Sequence, residues 1–472
     1  MVDNSWIKRD GGPGSASKSG AIRTKILITV AIILIAAVAT VALNGLGSNA
    51  TQYRSQGIVV DFGEYTTIWS DADFNVGDDP VELLEVVKTD HESDGFDYTM
   101  TGGVLTDVSY MEKDYPNDGT RSWGLWYVPM NSFDAVKSDT YDIKASDYNV
   151  VIWAYTENDG GVPMPAVDAT MTSIYGYAEP KRLVTLSPVC TETVSFVGGV
   201  QMIVGADMYS DYPQDIVDGR KSGKVSVVGS YTDPSYEAIM HTKPDLVFCD
   251  ASTYNDIEMA RMLRASDVNS VVLYNGEDVD TIFKNIFITG TSMGYNLGAE
   301  AFIKNAMYYM QEIEDIIGDI QGKSTMVALS NDPSPWIAGD YTYVNDIINQ
   351  IGGVNAFGKE KGWTNVTAES ITQKNPEVII ILDSSKYKED EYDSMLSILS
   401  SEWRSTDAYK NGKIYLMCED LGSLGSRAGP RFIQLMEIMA LAIVPEAFPD
   451  NVLPLSVGDD YRDYLKITGG IE

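Results

Sequence analysis

The chain has 472 residues, with 68 acidic against 34 basic side chains, which gives a formal net charge of −34 at pH 7. Nucleic acid is disfavoured as a partner by this charge, because its phosphates would be repelled. The 3 cysteines are too few and too scattered for a disulfide framework, and the 2 histidines give a His-based metal site little to work with. The 44 % of hydrophobic residues can fill the cores of two or three domains.

The first predicted elements are a tail and a membrane anchor. Residues 1–24 are basic and rich in Gly and Ser, which is typical of a disordered cytoplasmic tail. Residues 25–46 contain an apolar run, Ile26–Leu43, whose only polar members are threonines. Basic residues precede the run and none follows it before Arg54, so we expect a single-pass anchor in the cell membrane with the bulk of the chain extracellular. A cleaved signal peptide is the alternative.

A small domain is predicted over residues 57–156. Its sequence contains alternating apolar segments, such as Trp123–Val128, that are typical of strands. It also contains one helical segment around Leu83 and Leu84, preceded by Pro80. One sheet with one helix predicts an α+β domain of β-grasp-like form. Residues 157–179 combine Gly and Pro and are interpreted as a linker.

Strands and helices alternate from residue 180 to residue 472, which is typical of an α/β fold. We expect two doubly wound lobes, at 180–285 and 323–472, each about the size of a small domain. Between them, at about 298–318, apolar residues recur at helical spacing. This stripe predicts one long helix that bridges the lobes. The cysteines, all placed in or beside apolar runs, are predicted to be buried: Cys190, Cys249 and Cys418.

One local pattern occurs once in each predicted lobe. Glu237 and Glu369 each open a short helix that Lys-Pro or Asn-Pro ends, and a buried strand follows. Two matching lobes can close a cleft between them, which favours a binding protein over a catalyst. Acidic residues also stabilise helix N-termini, so each glutamate has a purely structural alternative role.

Five segments between about 170 and 460 have the character of family motifs: Pro180–Glu192, Tyr209–Pro213, Glu237–Leu246, Ile351–Phe357 and Arg427–Arg431. In this order they resemble the motifs of the cobalamin, siderophore and haem class of ABC-transporter substrate-binding proteins. The resemblance implies two lobes, limited hinge motion and delivery of a chelated metal compound to a permease dimer with a separate ATPase. It also implies that Glu237 and Glu369 dock onto the permease.

Within this class the sequence is most similar to the vitamin B12 binders. That similarity implies that aromatic residues and one arginine line a corrinoid cleft, at Tyr209, Tyr231, Trp336, Trp363 and Arg427. A corrin is a large flat disc, and aromatic faces bury such a surface with few lost rotamers. The segments around Cys249 and before Arg427 depart from the B12 pattern, which leaves a haem or ferric-siderophore ligand as the alternative. Residues 57–156 resemble the C-terminal domain of the transcobalamin family, which also points to corrinoids.

Enzyme signals in the chain are weak. Gly290–Gly294 matches the nucleophile-elbow pattern, but it lies in a helical stretch instead of following a strand. Gly318–Ser324 resembles a phosphate loop with one residue too few. We therefore expect a protein that is not an enzyme and has no cofactor, with the metal chelate as its cargo. A surface adhesion or sensory protein is the alternative of another class. Asn49 and Asn365 lie in glycosylation sequons.

Overall fold

The computed structural model describes residues 57–63, 65–71, 79–129, 134–144, 150–175, 180–385 and 391–471. The predicted tail (1–24), the predicted anchor (25–46) and Asn49 lie outside these residues. Among the helices of the described ranges, none is both long and apolar enough to cross a membrane.

The N-terminal domain contains two small sheets and one helix. Its strands are β1 (Gly57–Asp61), β2 (Thr67–Asp71), β3 (Asp97–Thr101), β4 (Val104–Tyr110), β5 (Lys113–Asp114), β6 (Arg121–Tyr127), β7 (Val136–Lys137) and β8 (Val150–Glu157). The larger sheet has the order β2-β1-β8-β6-β7, with β1 and β8 parallel and the other pairs antiparallel, and the smaller has the order β3-β4-β5. The helix is α1 (Leu83–Asp90). The resemblance to transcobalamin stays a prediction.

The two faces of the larger sheet are buried against different partners, because successive side chains of a strand point to opposite faces. Trp123 and Leu125 of β6 pack with Leu84 of α1 in the core of the domain. Trp126 of β6 and Ile152 of β8 belong instead to the large core that continues into the α/β lobes. The N-terminal domain is therefore packed against the rest of the protein through a whole sheet face.

The first lobe is a doubly wound α/β layer structure. Its parallel sheet has the order β11-β10-β9-β14-β15, and β12 and β13 form a separate hairpin. The strands are β9 (Leu183–Thr185), β10 (Ile203–Ala206), β11 (Ser226–Val227), β12 (Gly229–Ser230), β13 (Asp233–Pro234), β14 (Leu246–Asp250) and β15 (Asn269–Leu273). The helices are α2 (Pro188–Phe196), α3 (Gln214–Ser222), α4 (Tyr236–His241), α5 (Tyr254–Arg264) and α6 (Val279–Met293).

A single long helix, α7 (Asn296–Ile317), leads from the first lobe to the second, in agreement with the predicted bridge. The apolar stripe that predicted it is buried, with Phe302, Ile303, Ala306 and Ile313 among its members. Helix α7 packs against α6 and α2 of the first lobe and against the last long helix of the second lobe. The bridge is therefore held on both sides along its length.

The second lobe has a mixed sheet of order β19-β17-β16-β20-β21-β22, with β18 paired to β16. Its strands are β16 (Ser324–Ala328), β17 (Trp336–Ala338), β18 (Val354–Asn355), β19 (Trp363–Asn365), β20 (Val378–Asp383), β21 (Ile414–Cys418) and β22 (Ser456–Val457). Its helices are α8 (Tyr343–Gln350), α9 (Ala368–Lys374), α10 (Glu391–Ser397), α11 (Ser401–Arg404), α12 (Asp407–Lys410), α13 (Glu419–Leu424) and α14 (Phe432–Ile443). β17 runs antiparallel to both its neighbours, so this sheet is not wholly parallel, although the α/β class is as expected.

Candidate functional site

A cleft of about 1700 Å³ lies between the two lobes. It is bordered in each lobe by residues that follow strands, among them Ser187 after β9, Tyr274 after β15, Ser384 after β20 and Asp459 after β22. In open α/β sheets this edge is where ligands bind, because the loops at the carboxyl ends of the strands converge there. The cleft is larger than the roughly 300–1000 Å³ of common small-molecule pockets, which favours a bulky ligand.

Aromatic side chains from both lobes face this cleft. Tyr209 follows β10, and Tyr231 lies in the turn between β12 and β13; their rings meet edge to face with centroids 5.4 Å apart. Tyr209 is 41 % exposed, whereas Tyr231 is 7 % exposed and supports it from behind. Trp363, the first residue of β19, lines the opposite wall, together with Tyr341. Three of the four predicted aromatic residues are therefore brought to one cavity.

Trp336 is placed differently from the other predicted aromatic residues. It is the first residue of β17 and so lies in a strand. Pro333 and Pro335 precede the strand and leave its ladder hydrogen bonds intact, which is why two prolines did not prevent the strand. The side chain is half-buried against the large core and is not among the residues that line the cleft.

Arg427 lines the cleft and is bound by carboxylates of the first lobe. Its Nη1 donates to Glu192 Oε1 at 3.0 Å and to Asp211 Oδ1 at 2.6 Å, and its Nη2 donates to Asp211 Oδ2 at 3.2 Å. Although burial opposes the charged form, these two carboxylates raise the pKa of Arg427 above its ordinary value. The guanidinium therefore connects the lobes with most of its charge already balanced.

Arg431 extends this ionic network behind the cleft. Its Nε and Nη2 donate to Glu192 at 3.0 and 2.7 Å, and its Nη1 donates to both oxygens of Asp420 at 2.8 and 2.7 Å. Arg462 Nη2 also donates to Asp420, at 2.8 Å. Burial works against ionisation of Asp420, but the two arginines hold the pKa of its carboxyl below the usual range. The Arg431 guanidinium lies 4.0 Å from the ring centroid of Tyr212, a cleft residue.

The side chains that line the cleft carry more negative than positive charge. The basic ones are Lys361, Arg427 and Arg462, and the acidic ones are Asp211, Asp215, Asp250, Glu277, Glu419, Asp420 and Asp459. Burial raises the pKa of Asp250, which accepts the backbone N–H of Ser252 at 2.9 Å. Burial likewise raises the pKa of Asp207, beneath Tyr209, to about 6. The cleft is thus better suited to a neutral or cationic ligand than to a strongly anionic one.

Glu237 and Glu369 lie outside the cleft, in the first turns of α4 and α9. Ser235 and Thr367 cap these helices by accepting the N–H of Ala238 and of Ser370, respectively. Both glutamates are exposed. One exposed acid at a short capped helix in each lobe is the arrangement that the repeated sequence pattern predicted.

The nucleophile-elbow match lies within a helix, as the sequence predicted. Ser292 of the nucleophile-elbow match lies within α6, is 2 % exposed and has no hydrogen-bond partner for its hydroxyl within the described residues. The three cysteines are buried, as predicted, and form no disulfide within the described residues. Among the residues that the structure describes, no cluster of His, Cys, Asp or Glu side chains could hold a metal ion.

The comparisons with known proteins agree with this architecture. A family model for periplasmic binding proteins matches residues 183–421, half of the chain and most of both lobes. This chain belongs to the periplasmic binding protein family. Its relatives are substrate-binding proteins of ABC transporters, not enzymes. They include proteins whose names or titles specify vitamin B12, haem or ferric citrate as ligands.

Two relatives and one solved structure illustrate how similar known proteins are to this chain. An uncharacterized ABC transporter substrate-binding lipoprotein, YvrC, of Bacillus subtilis is 26 % identical over 292 residues, which cover 61 % of this chain and 88 % of the relative. A cobalamin-binding protein of Halobacterium salinarum is 24 % identical over 291 residues, which cover 59 % of this chain and 74 % of the relative. A periplasmic haem-binding protein of Pseudomonas aeruginosa has a TM-score of 0.48 at 20 % identity, covering 56 % of this chain and 93 % of the other.

Several residues that line this periplasmic binding protein's cleft or lie behind it were missed by sequence reasoning. Glu192, Arg431 and Asp420 were not singled out, although Glu192 and Arg431 end two of the motifs that carried the resemblance. A lone charged residue in an otherwise uncharged helix, α2, is the signal that could have identified a buried ion pair. Tyr212 and Tyr274 carry no local signal that separates them from ordinary core tyrosines.

Proposed function

We propose that this protein captures a corrinoid outside the membrane and delivers it to an ABC importer. The supporting observation is the large interlobe cleft, to which both lobes contribute aromatic side chains: Tyr209 and Tyr231 from the first lobe, Trp363 from the second. A corrin presents two broad faces, and rings held on opposite walls can cover both. Arg427 is the proposed polar contact to the fringe of the ligand.

The charge balance of the cleft favours a corrinoid over the alternatives. Haem carries two carboxylates and ferric citrate is anionic, so each would meet an acidic cleft whose two arginines, Arg427 and Arg462, are already paired with carboxylates. The fringe of a corrinoid consists mainly of neutral amides, which accept and donate hydrogen bonds without this repulsion. The name of the Halobacterium relative, a cobalamin-binding protein, supports the same choice.

Haem remains the main alternative ligand, and the cleft offers it one type of axial ligand. Haem iron is held in proteins by His, Cys, Met or Tyr. In the described part of the chain, the cleft is lined by tyrosines but by no His, Cys or Met. An axial ligand from these residues would therefore be a tyrosine oxygen such as that of Tyr209, which is more exposed than Tyr231.

Docking onto the transporter is proposed to use the two exposed glutamates. Glu237 and Glu369 each project from a short helix, one in each lobe, and a permease dimer presents two equivalent surfaces to such a pair. Basic side chains on the permease would complete the contact. ATP hydrolysis would belong to a separate subunit.

The proposed location is the outer face of the cell membrane, with residues 25–46 as a single-pass anchor. The relative YvrC is named as a lipoprotein. The present chain has its first cysteine at Cys190, far beyond its apolar N-terminal run, so an uncleaved helix is the proposed means of attachment.

Ligand titration of the full-length protein tests the proposal. The purified protein, in detergent, is titrated by calorimetry and by absorption spectroscopy with cyanocobalamin, haemin and ferric citrate in parallel. Micromolar or tighter binding of cyanocobalamin, with haemin and ferric citrate at least about tenfold weaker, is the expected result. Preferential binding of haemin or ferric citrate would reject the corrinoid assignment and leave the family assignment unaffected.

A further inference from the structure

Residues 164–175, here named the strap, connect the N-terminal domain to the first lobe. Both ends of the strap are bound to the N-terminal domain. The Met164 N–H donates to Asp61 Oδ2 at 2.7 Å. At the other end, the Tyr175 ring stacks on Trp69 with centroids 5.2 Å apart, and its hydroxyl is 3.2 Å from that of Thr67. Although the sequence suggests a linker at 157–179, the strap is mostly buried.

The middle of the strap is bound to β15, the edge strand of the first lobe. The fully buried Asp168 carboxylate accepts the Val272 N–H at 2.9 Å and Arg264 Nη2 at 2.6 Å. The Ala169 N–H donates to the Val272 carbonyl at 3.0 Å. A buried, charge-assisted pair of this kind is costly to break, because either partner alone would be left as a buried charge.

The strap also holds the loop that follows β15. This loop, Tyr274–Glu277, is here named the wall loop because all four of its residues line the cleft. The Tyr274 hydroxyl donates to the Val167 carbonyl of the strap at 2.8 Å. The Tyr274 backbone is bound on its other side by Asn285 of α6, whose amide accepts from its N–H and donates to its carbonyl, both at 2.8 Å.

The wall loop meets the second lobe at its far side. A Cβ atom added to Gly276 would lie 2.2 Å from the Cβ of Ala428, so the two backbones are in close contact. Ala428 follows Arg427, the arginine that binds Glu192 and Asp211 across the lobes. The wall loop is therefore fixed between the strap on one side and the interlobe network on the other.

We infer that the N-terminal domain is a positioning element of the cleft: through the strap it holds the wall loop in place and so sets the affinity for the ligand. The wall loop contains Asn275, Gly276 and Glu277, which bury little apolar surface of their own. A loop of this kind opens locally unless its neighbours hold it, and a mobile wall must be ordered at a free-energy cost when a ligand binds. The effect on affinity rests on the proposed function, whereas the coupling of strap to loop does not.

Two variants of the full-length protein test the inference. Asp168→Asn removes the charge that binds Arg264 while it keeps the shape of the side chain. Tyr274→Phe removes only the hydroxyl that donates to Val167, and it provides a milder test should the first variant fail to fold. The matched control is Glu258→Gln, which makes the same carboxylate-to-amide change in a more exposed ion pair with Arg261 on the same helix, α5.

Hydrogen–deuterium exchange of the ligand-free proteins is the first measurement. We expect the amides of residues 274–278 to exchange about tenfold faster or more in both variants, because a charge-assisted or buried hydrogen bond is lost. Helix α4 and the Glu258→Gln control should exchange like the wild type. Unchanged exchange of the wall loop in both variants would overturn the inference.

Affinity for cyanocobalamin, haemin and ferric citrate is the second measurement. For whichever probe the wild type binds, we expect the two variants to bind about three- to thirtyfold more weakly, and the control to bind normally. Faster loop exchange with unchanged affinity would overturn the positioning role. If the wild type binds none of the three probes but the wall loop exchanges faster in the variants, the coupling of strap to wall loop is supported and the proposed ligand class is rejected.

Discussion

Glu192 and Arg431 are 239 positions apart in the chain and form a bidentate ion pair that joins the two lobes. Each side chain is 1 % exposed. Removal of one partner of a buried pair leaves an uncompensated charge, which costs about 3–5 kcal/mol. We therefore expect Glu192→Gln to lower the free energy of unfolding by about that amount, measured by urea denaturation. Glu446→Gln, in the more exposed pair with Lys323, should cost less than about 1 kcal/mol. Equal effects of the two variants would contradict this role.

Trp363 and Trp336 provide a matched pair for the ligand contact. They lie on the paired strands β19 and β17, but only Trp363 lines the cleft. We expect Trp363→Ala to weaken cyanocobalamin binding by about 1–3 kcal/mol, because a ring on the ligand face is lost. Trp336→Ala should mainly lower the melting temperature and should leave the affinity of the folded protein near that of the wild type. Calorimetric titration distinguishes them, and a larger loss of affinity for Trp336→Ala would reverse the assignment.

Asp211 determines how much positive charge Arg427 presents to the cleft. Asp211→Asn removes one of its two carboxylate partners, so we expect the affinity for haemin relative to cyanocobalamin to rise about three- to thirtyfold. Added salt should reduce the rise, because Asp211 is 56 % exposed and its charge is screened. Asp215→Asn is the control. It removes the same charge from the cleft lining, but the hydrogen-bond partner of Asp215 is the amide of Gln201 and not Arg427. If neither variant changes the affinity ratio, charge does not select the ligand.

Charge reversal at the exposed glutamates tests docking. Glu237→Arg combined with Glu369→Arg should leave ligand affinity unchanged and abolish uptake in cells, because attraction to basic permease residues becomes repulsion. The control is the double variant Asp218→Arg with Asp393→Arg. It reverses the charge of one exposed helical acid in each lobe, away from the two glutamates. Wild-type uptake by the first double variant, or equal loss in both, would count against docking at these two positions.

Stability should depend on pH through Asp61, which holds the start of the strap. Burial raises the pKa of its carboxyl to about 6, against an ordinary value of 3.8. Between these pH values the folded protein keeps a proton on Asp61 that the unfolded chain releases. The stabilisation of the folded state by this proton is fully present below about pH 4 and is lost as the pH rises through about 6. Over that range the free energy of unfolding should fall by about 3 kcal/mol. Urea denaturation across this range should show the fall in the wild type and not in Asp61→Asn; parallel curves would contradict it.

Local features of the fold could be predicted because their signals are local. The stripe of Phe302, Ile303, Ala306 and Ile313 fixes the period and the buried face of α7 within one helix. The starts of α4 and α9 have a capping Ser or Thr, and each helix is followed by a proline that limits its extension. Such features need no knowledge of the rest of the chain.

The cleft could be predicted only in part, because its partners come together from distant positions. Arg427 was expected near the ligand, but its pairing with Glu192 and Asp211 depends on how two lobes approach each other. Trp336 and Trp363 lie at opposite ends of the ladder between β17 and β19, because Trp336 pairs with Asn365 and Trp363 with Ala338, and this long-range pairing places only Trp363 at the cleft. The strap follows a Gly-Gly pair and is itself rich in Ala, Thr and Ser, in the manner of a linker, and its burial depends on a sheet edge that lies about a hundred residues further along the chain.

The strap has a consequence for solubility as well as for the cleft. The outward-facing backbone of β15 is occupied by strap and helix groups: Arg264 on the Ser270 carbonyl, Asp168 and Ala169 on Val272, and Asn285 on Tyr274. An uncovered edge strand is a template on which a second chain can pair. Loss of the N-terminal domain together with the strap would leave the Val272 backbone groups of this edge strand unpaired and accessible to a strand of a second chain.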